Sequence, residues 1–297
     1  MRVACIGEAM VELSLDGPNA DRAQVGYAGD ALNTAIYLKR AAPALGVDFV
    51  TRLGRDAFSD RLLASVRAEG LGTDAVTFSK DRNVGLYAIA TDAAGERSFT
   101  YWRSQSAARE MFQTDKGVRF DILADYDVLC LSAITIAILP EAVRSDLYDW
   151  IVGFRRKGGR VIFDSNYRPA LWPDKDTARR DIRRMWESCD IALPSVDDEM
   201  AIFGDADAAS VVARLKGWGV SEGALKCGPG GPVSLGEPVE ASYPPAAKVV
   251  DTTAAGDSFN AGYLAARLTG ESQARALRAG HDLASMVIGV KGAIAPR

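Results

Sequence analysis

Val249-Val-Asp-Thr-Thr-Ala-Ala-Gly-Asp-Ser-Phe-Asn-Ala-Gly-Tyr263 is the stretch on which the reading of this chain turns. Phe259, Tyr263 and Ala266 recur at helical spacing, so Ala254, Ala255 and Gly256 fall at a helix N-terminus. Unpaired amides and the positive end of the helix dipole gather there. Phosphate oxygens suit such an end, and side chains this small let an anion reach the backbone. Asp257 lies in the first turn. A carboxylate in that place reads either as a cap or as a proton acceptor beside a bound phosphoryl group.

Upstream, short apolar runs alternate with amphipathic stretches. Val3-Ala-Cys-Ile-Gly, Phe49-Val-Thr-Arg-Leu, Val128-Leu-Cys-Leu-Ser, Val161-Ile-Phe-Asp and Ile191-Ala-Leu-Pro read as buried strands. Residues 31–42, 58–69, 141–157 and 176–187 carry helical spacing, as in Leu147, Ile151 and Phe154. Strands alternating with helices imply βαβ units and an α/β fold with a mainly parallel sheet, helices lying on both faces. Ligands of such sheets bind outside the carboxyl ends of the strands. Residues 12–27 and 85–102 alternate at period two instead, with Ala93-Ala-Gly-Glu as a hairpin turn. They predict a small antiparallel sheet, either a lid over a cleft or an edge extension of the main sheet. One domain over 1–297 is expected, with lid strands from about 9–28 and 84–104.

Composition narrows the function classes. The 297 residues are 48% hydrophobic and 25% charged, ordinary for a globular chain. No apolar run nears the roughly 20 residues of a membrane span, and residues 1–8 hold no secretory h-region. A net charge of −4 argues against a nucleic-acid partner. Arg179, Arg180, Arg183 and Arg184, interleaved with Asp176 and Asp181, read as a solvated helix face. Cys5, Cys130, Cys189 and Cys227 lie far apart, which fits a reduced, cytoplasmic protein without a zinc site. His281 is the only histidine, and no Gly-x-Ser-x-Gly elbow accompanies it.

No Walker-type Gly-x-x-x-x-Gly-Lys run occurs, nor a His-Arg-Asp or Asp-Phe-Gly set, which excludes P-loop enzymes and protein kinases. Asp251-Thr-Thr-Ala-Ala-Gly-Asp-Ser-Phe-Asn-Ala-Gly is similar to the C-terminal signature of the ribokinase-like (PfkB) carbohydrate kinases. Gly29-Asp-Ala-Leu-Asn-Thr-Ala resembles that family's glycine-rich N-terminal signature. Lys226-Cys-Gly-Pro-Gly-Gly resembles the strand and loop that lie against its nucleotide. The likeness runs in order from Gly7-Glu8 to Gly292-Ala-Ile. It implies a three-layer α/β/α ribokinase-like fold with a small β-sheet lid, and ATP with Mg2+ as phosphoryl donor.

The resemblance also implies roles. Asp257 matches the base that takes the acceptor hydroxyl's proton, and Ala254, Ala255 and Gly256 match the anion hole. ATP contacts fall on Ser195, Lys226, Gly228, Gly231, Gly256 and His281, the last equally readable as a satisfied histidine on an apolar helix face. Asp251 and Thr253, with carbonyls near Val287 and Gly292, match a site for a monovalent cation, K+. The family's Asn-x-x-Glu is replaced here by Ser195 and Asp198. Asp198, or Glu199 beside it, is expected to serve Mg2+ indirectly, because that ion keeps most of its water and takes one or two carboxylates.

Three segments bear on the acceptor: Gly85-Leu-Tyr, Thr100-Tyr-Trp-Arg-Ser-Gln-Ser-Ala-Ala and Asp164-Ser-Asn-Tyr-Arg-Pro-Ala-Leu-Trp. Two arginines converging on one cleft are costly to bury without an anion. One can serve ATP; the second implies a carboxylate on the sugar, which matches a guanidinium fork. These segments resemble the branch of the family that phosphorylates the sugar acid 2-keto-3-deoxygluconate at O6. By that likeness Arg103 and Arg168 bind the acid end, Tyr87 and Tyr101 frame it, and Gly29, Asp30 and Asn33 hold hydroxyls. Arg168 facing the transferred phosphate is the alternative. Rival readings are a kinase of a neutral sugar, fructose or ribose in type, and a non-catalytic sugar sensor. The family likeness also implies a homo-oligomer paired through the lid.

Overall fold

In the computed structural model, which describes residues 1–15, 21–91 and 97–297, five parallel strands form the central sheet. Their spatial order is Ile191–Leu193, Arg160–Asp164, Val128–Ser132, Arg2–Ile6 and Gly46–Val50. All four pairings are parallel. Each strand sends alternate side chains to opposite faces, and both faces are covered. Ala4, Ile6, Leu129, Leu131, Val161 and Phe163 pack into one core; Val3, Cys5, Val128, Cys130 and Ile162 pack into the other. The first core is closed by Leu147, Ile151 and Phe154 of the helix Glu141–Arg156 and by Ile182, Met185 and Trp186 of the helix Lys175–Trp186. The second is closed by the helices Asp30–Ala41, Ala57–Ala68, Ala255–Leu268 and Gln273–Val287. This is the expected three-layer α/β/α arrangement.

The chain leaves Arg2–Ile6 for the sheet's Gly46–Val50 side, then returns to Val128–Ser132 on the other. Between Arg2–Ile6 and Val128–Ser132 the order reverses, and a crevice opens at the carboxyl ends of the strands. Thr135, in the short helix Ala133–Ile138, closes its floor by donating to the Ile6 carbonyl at 2.7 Å.

The lid is a separate four-stranded sheet in the order Ala23–Ala28, Met10–Leu15, Gly85–Thr91, Arg97–Trp102. It is mixed rather than antiparallel, because Met10–Leu15 and Gly85–Thr91 pair in parallel. A period-two pattern fixes which side chains share a face but says nothing of strand direction. These two strands are joined by the long excursion through the main domain, so neither is the other's hairpin partner. The residues expected to form the turn, 93–96, lie outside the described residues.

Candidate active site

Two helix N-termini meet at the crevice. The helix Asp30–Ala41 starts directly after the lid strand Ala23–Ala28. Gly29, at the junction, has no space for a side chain: a β-carbon there would lie 2.2 Å from the Glu8 carbonyl oxygen. From this helix, Asn33 Nδ2 donates to Asp257 Oδ2 at 2.8 Å. Asp30 accepts from the Ser132 hydroxyl and, at 3.0 Å, from Asn166 Nδ2.

The second helix is Ala255–Leu268, as the Phe259 and Tyr263 spacing predicts. It packs closely on Gln273–Val287 because Gly262 lacks a side chain; a β-carbon there would lie 2.5 Å from the Ala279 carbonyl oxygen. Ala254, just before it, holds a left-handed backbone with φ of 61°, a conformation that non-glycine residues adopt at some cost. Ala255 donates its amide to the Thr252 carbonyl at 3.2 Å. The amides of Gly256 and Asp257 donate to no group among the described residues. Of the residues expected to form an anion hole, Ala254 and Ala255 shape the turn, and the Gly256 amide, with that of Asp257, is left open.

Asp257 is buried but lies among polar groups rather than in apolar packing. Its carboxyl is pushed up to about 7, chiefly by burial and then by Asp30 and Asp164, while the Asn33 amide and Lys226 pull the other way. A carboxyl poised there can exchange a proton near neutrality. Lys226 closes the other side: its Nζ lies 2.8 Å from Asp164 Oδ1 and 3.0 Å from Asn260 Oδ1. Asp164 ends a buried strand and Asn260 lies in the first turns of the helix Ala255–Leu268. No local spacing links them to Lys226, which is 62 residues from Asp164 and 34 from Asn260.

Ser195, Lys226, Gly228 and Gly231, expected at the nucleotide, share one flank. Ser195 and Lys226 are bridged in parallel across neighbouring backbones, and the Ser195 amide donates to Ser165 Oγ at 2.9 Å. Gly228 and Gly231, both with positive φ, shape the loop after Lys226. Tyr243 touches Gly231 and faces the His281 ring at 5.2 Å; His281 Nε2 lies 2.7 Å from the Pro244 carbonyl oxygen.

The acidic candidates separate. Asp198 Oδ2 accepts from Ser165 Oγ at 3.1 Å, and burial, then Asp164, raises its carboxyl while Arg168 opposes. Glu199 points the other way. It is fully buried against Arg214 at 3.0 Å, and burial pushes it up to about 7. Adjacent positions in a helix face about 100° apart, so the two acids do not share the cleft. Asp251 Oδ1 accepts from the Thr253 amide and hydroxyl at 3.0 and 2.7 Å, and Oδ2 from the Gly292 amide at 2.9 Å.

At the lid end, Tyr87 stacks on Tyr101 with ring centres 5.7 Å apart, and its hydroxyl donates to Glu12. The expected pair of unpaired arginines is not what the structure holds. Arg103 donates Nε and an Nη to the same oxygen of Glu8, which is 1% exposed; the Nε bond is 2.8 Å. A buried acid thus already supplies the anion that the sequence argument reserved for substrate. Arg168 is half exposed, donates to the Tyr167 carbonyl at 2.8 Å and lies 3.9 Å from Asp198. Sequence reading overlooked Arg109. Its half-buried guanidinium has no acidic partner among the described residues, and burial lowers it while Glu8 raises it.

Comparisons with known proteins agree with this geometry. The pfkB family carbohydrate kinase model matches residues 1–297. The 2-dehydro-3-deoxygluconokinase of Escherichia coli K12 is 43% identical over 304 residues, covering 100% of this chain and 97% of the relative. A PfkB protein structure from Polaromonas sp. JS666 superposes with a TM-score of 0.82 at 25% identity, over 96% of this chain and 94% of that one. The Escherichia coli putative ribokinase II in complex with ATP and Mg2+ superposes at a TM-score of 0.84 and 20% identity, over 98% and 94%. A crevice at the sheet's switch point, a carboxylate at a helix start and a family match from end to end agree: this chain belongs to the pfkB family of carbohydrate kinases.

Proposed function

We propose that this chain is a 2-dehydro-3-deoxygluconokinase that transfers the γ-phosphoryl group of ATP to O6 of the sugar acid. The observation that carries the chemistry is the desolvated Asp257 carboxylate beside the bare Gly256 and Asp257 amides. Asp257 takes the O6 proton as the bond from O6 to the γ-phosphorus forms and the bond to the β–γ bridging oxygen breaks. ADP leaves with the electron pair. The amides bear the charge that develops on the phosphoryl oxygens. The full-length relative named above supports the substrate class.

Asp198, its carboxylate at the cleft beside Ser165, would hold Mg2+ through water, since that ion keeps most of its water and takes one or two carboxylates. When bound, the ion neutralises phosphate charge. Asp251 and the carbonyls near Val287 and Gly292 are hard oxygen donors suited to K+. No helix among the described residues is long and apolar enough to cross a membrane.

The acid end of the sugar belongs near Arg103. A guanidinium has five N–H donors, and Glu8 takes two, so the fork keeps three for a carboxylate while Glu8 fixes its aim. Glu8, Arg103 and Arg109 together leave one net positive charge, which suits an anionic sugar. Tyr87 and Tyr101 frame this end; Gly29, Asp30 and Asn33 face the hydroxyls. Arg168 lies toward the phosphates. ADP release measured over a panel of sugar acids and neutral sugars tests the reading. The keto-deoxy acid should be the preferred acceptor by kcat/KM; fructose or ribose turning over as well would overturn it.

A further inference from the structure

An ammonium carries three N–H donors. Lys226 gives one to Asp164 Oδ1 at 2.8 Å and one to Asn260 Oδ1 at 3.0 Å, and Asn260 Nδ2 closes the triangle on Asp164 Oδ2 at 2.8 Å. The three residues come from the ends of two strands, Ala224–Lys226 and Arg160–Asp164, and from the helix Ala255–Leu268. Both charged side chains are 9% exposed. A buried ion pair that only held the fold together would spend its donors on protein groups. The third N–H of Lys226 has no partner among the described residues, and Nζ lies 3.7 Å from where a β-carbon on Gly256 would sit. Gly256 carries one of the two bare amides. Lys226 is also the cation felt by both Asp257 and Asp198, in a crevice where Asp30 and Asp164 add further negative charge. Without it, a triphosphate would meet mainly carboxylates.

We infer that Asp164 and Asn260 are positioning residues that hold Lys226 Nζ beside the Gly256 amide, where its third N–H is donated to the phosphoryl group in transfer. No bond to Lys226 is made or broken. Because its direction is fixed by two acceptors before ATP arrives, little reorganisation remains at the moment of transfer. The inference rests on the phosphoryl-transfer reading above.

The test compares the wild-type enzyme with Lys226→Met, Lys226→Arg, Asp164→Asn and Asn260→Ala, following ADP release with saturating ATP over a range of sugar-acid concentrations and pH. Lys226→Met should lose roughly 10²–10³ in kcat, the effect of removing one preorganised donor, with KM for the sugar acid unchanged. Lys226→Arg should recover part of that loss. Asn260→Ala should lose about tenfold in kcat. The rate on the pH plateau, above the acid limb, separates positioning from mere bracing. Asp257 is faced by Asp30 and Asn33 from one helix, by Asp164 from the sheet and by Lys226 from its strand. Removing Lys226 takes away a cation and moves the acid limb of kcat/KM up in pH. Asp164→Asn takes away an anion, frees the lysine charge, and moves it down. Either loss of charge moves the limb, so the plateau is decisive: a brace would lower Tm in both variants and leave plateau kcat near wild type.

Wild-type kcat in Lys226→Met on the pH plateau overturns the inference. Should Asp164→Asn fail to fold, Asn260→Ala decides: unchanged kcat overturns the inference, and a selective fall in kcat supports it. The two readings fail differently. An inactive wild type takes down both; an active wild type matched by Lys226→Met takes down only this one.

Discussion

Asn33 Nδ2 donates to Asp257 Oδ2 at 2.8 Å, tying the first turn of one helix to the first turn of another across 224 residues of chain. The bond favours the ionised carboxylate, so it opposes the burial that raises Asp257. Asn33→Ala should therefore move the acid limb of kcat/KM upward by about one pH unit, the worth of one hydrogen bond to a charged group. Kinetics across pH check this; an unmoved limb would mean the amide does not tune the base.

As the proposed base, Asp257 should itself set that limb. A general base must be ionised, and this carboxyl is held at about 7, so kcat/KM should rise with pH up to about 7 and then level off. Asp257→Asn should remove roughly 10²–10⁴ of the rate while ATP still binds, as calorimetry of the variant will show.

Arg103→Ala should raise KM for the sugar acid roughly ten- to a hundredfold, the worth of charged hydrogen bonds to the carboxylate. The same change strands Glu8, buried and unpaired, at a cost of about 3–5 kcal/mol in stability. Adding Glu8→Gln should restore much of the Tm and none of the affinity. Thermal melts and steady-state kinetics on the single and double variants separate the two effects.

Asp198 and Glu199 should part company. Asp198→Asn is expected to raise the Mg2+ concentration needed for half-maximal rate. Glu199→Gln should lower Tm, because Glu199 meets Arg214 inside the core, and leave the Mg2+ requirement alone. Metal titrations of both variants give the answer.

The two glycines at the helix starts make a further contrast. A β-carbon at Gly29 meets backbone at 2.2 Å, so Gly29→Ala should lower Tm sharply. At Gly256 it meets only the end of the Lys226 side chain at 3.7 Å, an ordinary contact. Gly256→Ala should therefore fold normally and lose kcat, since its methyl group crowds the bare amides. A normal rate would move the anion hole elsewhere.

The strands and helices were legible because each has its own period. Leu147, Ile151 and Phe154 mark one buried helix face wherever the helix sits, and Val161-Ile-Phe-Asp carries apolar side chains for both faces of a sheet. The direction of the lid strands was not legible. Met10–Leu15 and Gly85–Thr91 present the same alternation whether they run parallel or antiparallel.

The sequence by itself determined the α/β class and the helix start at Ala254–Asp257, since these follow from local spacing and small side chains, while local spacing left Asp257 as either a cap or a proton acceptor. Only the tertiary structure decided which charges meet. It gave Glu8 to Arg103, Arg214 to Glu199, and Asp164 with Asn260 to Lys226. Coulombic attraction and burial depend on distance through space, and nothing in the order of residues along a chain fixes that distance until the layers pack.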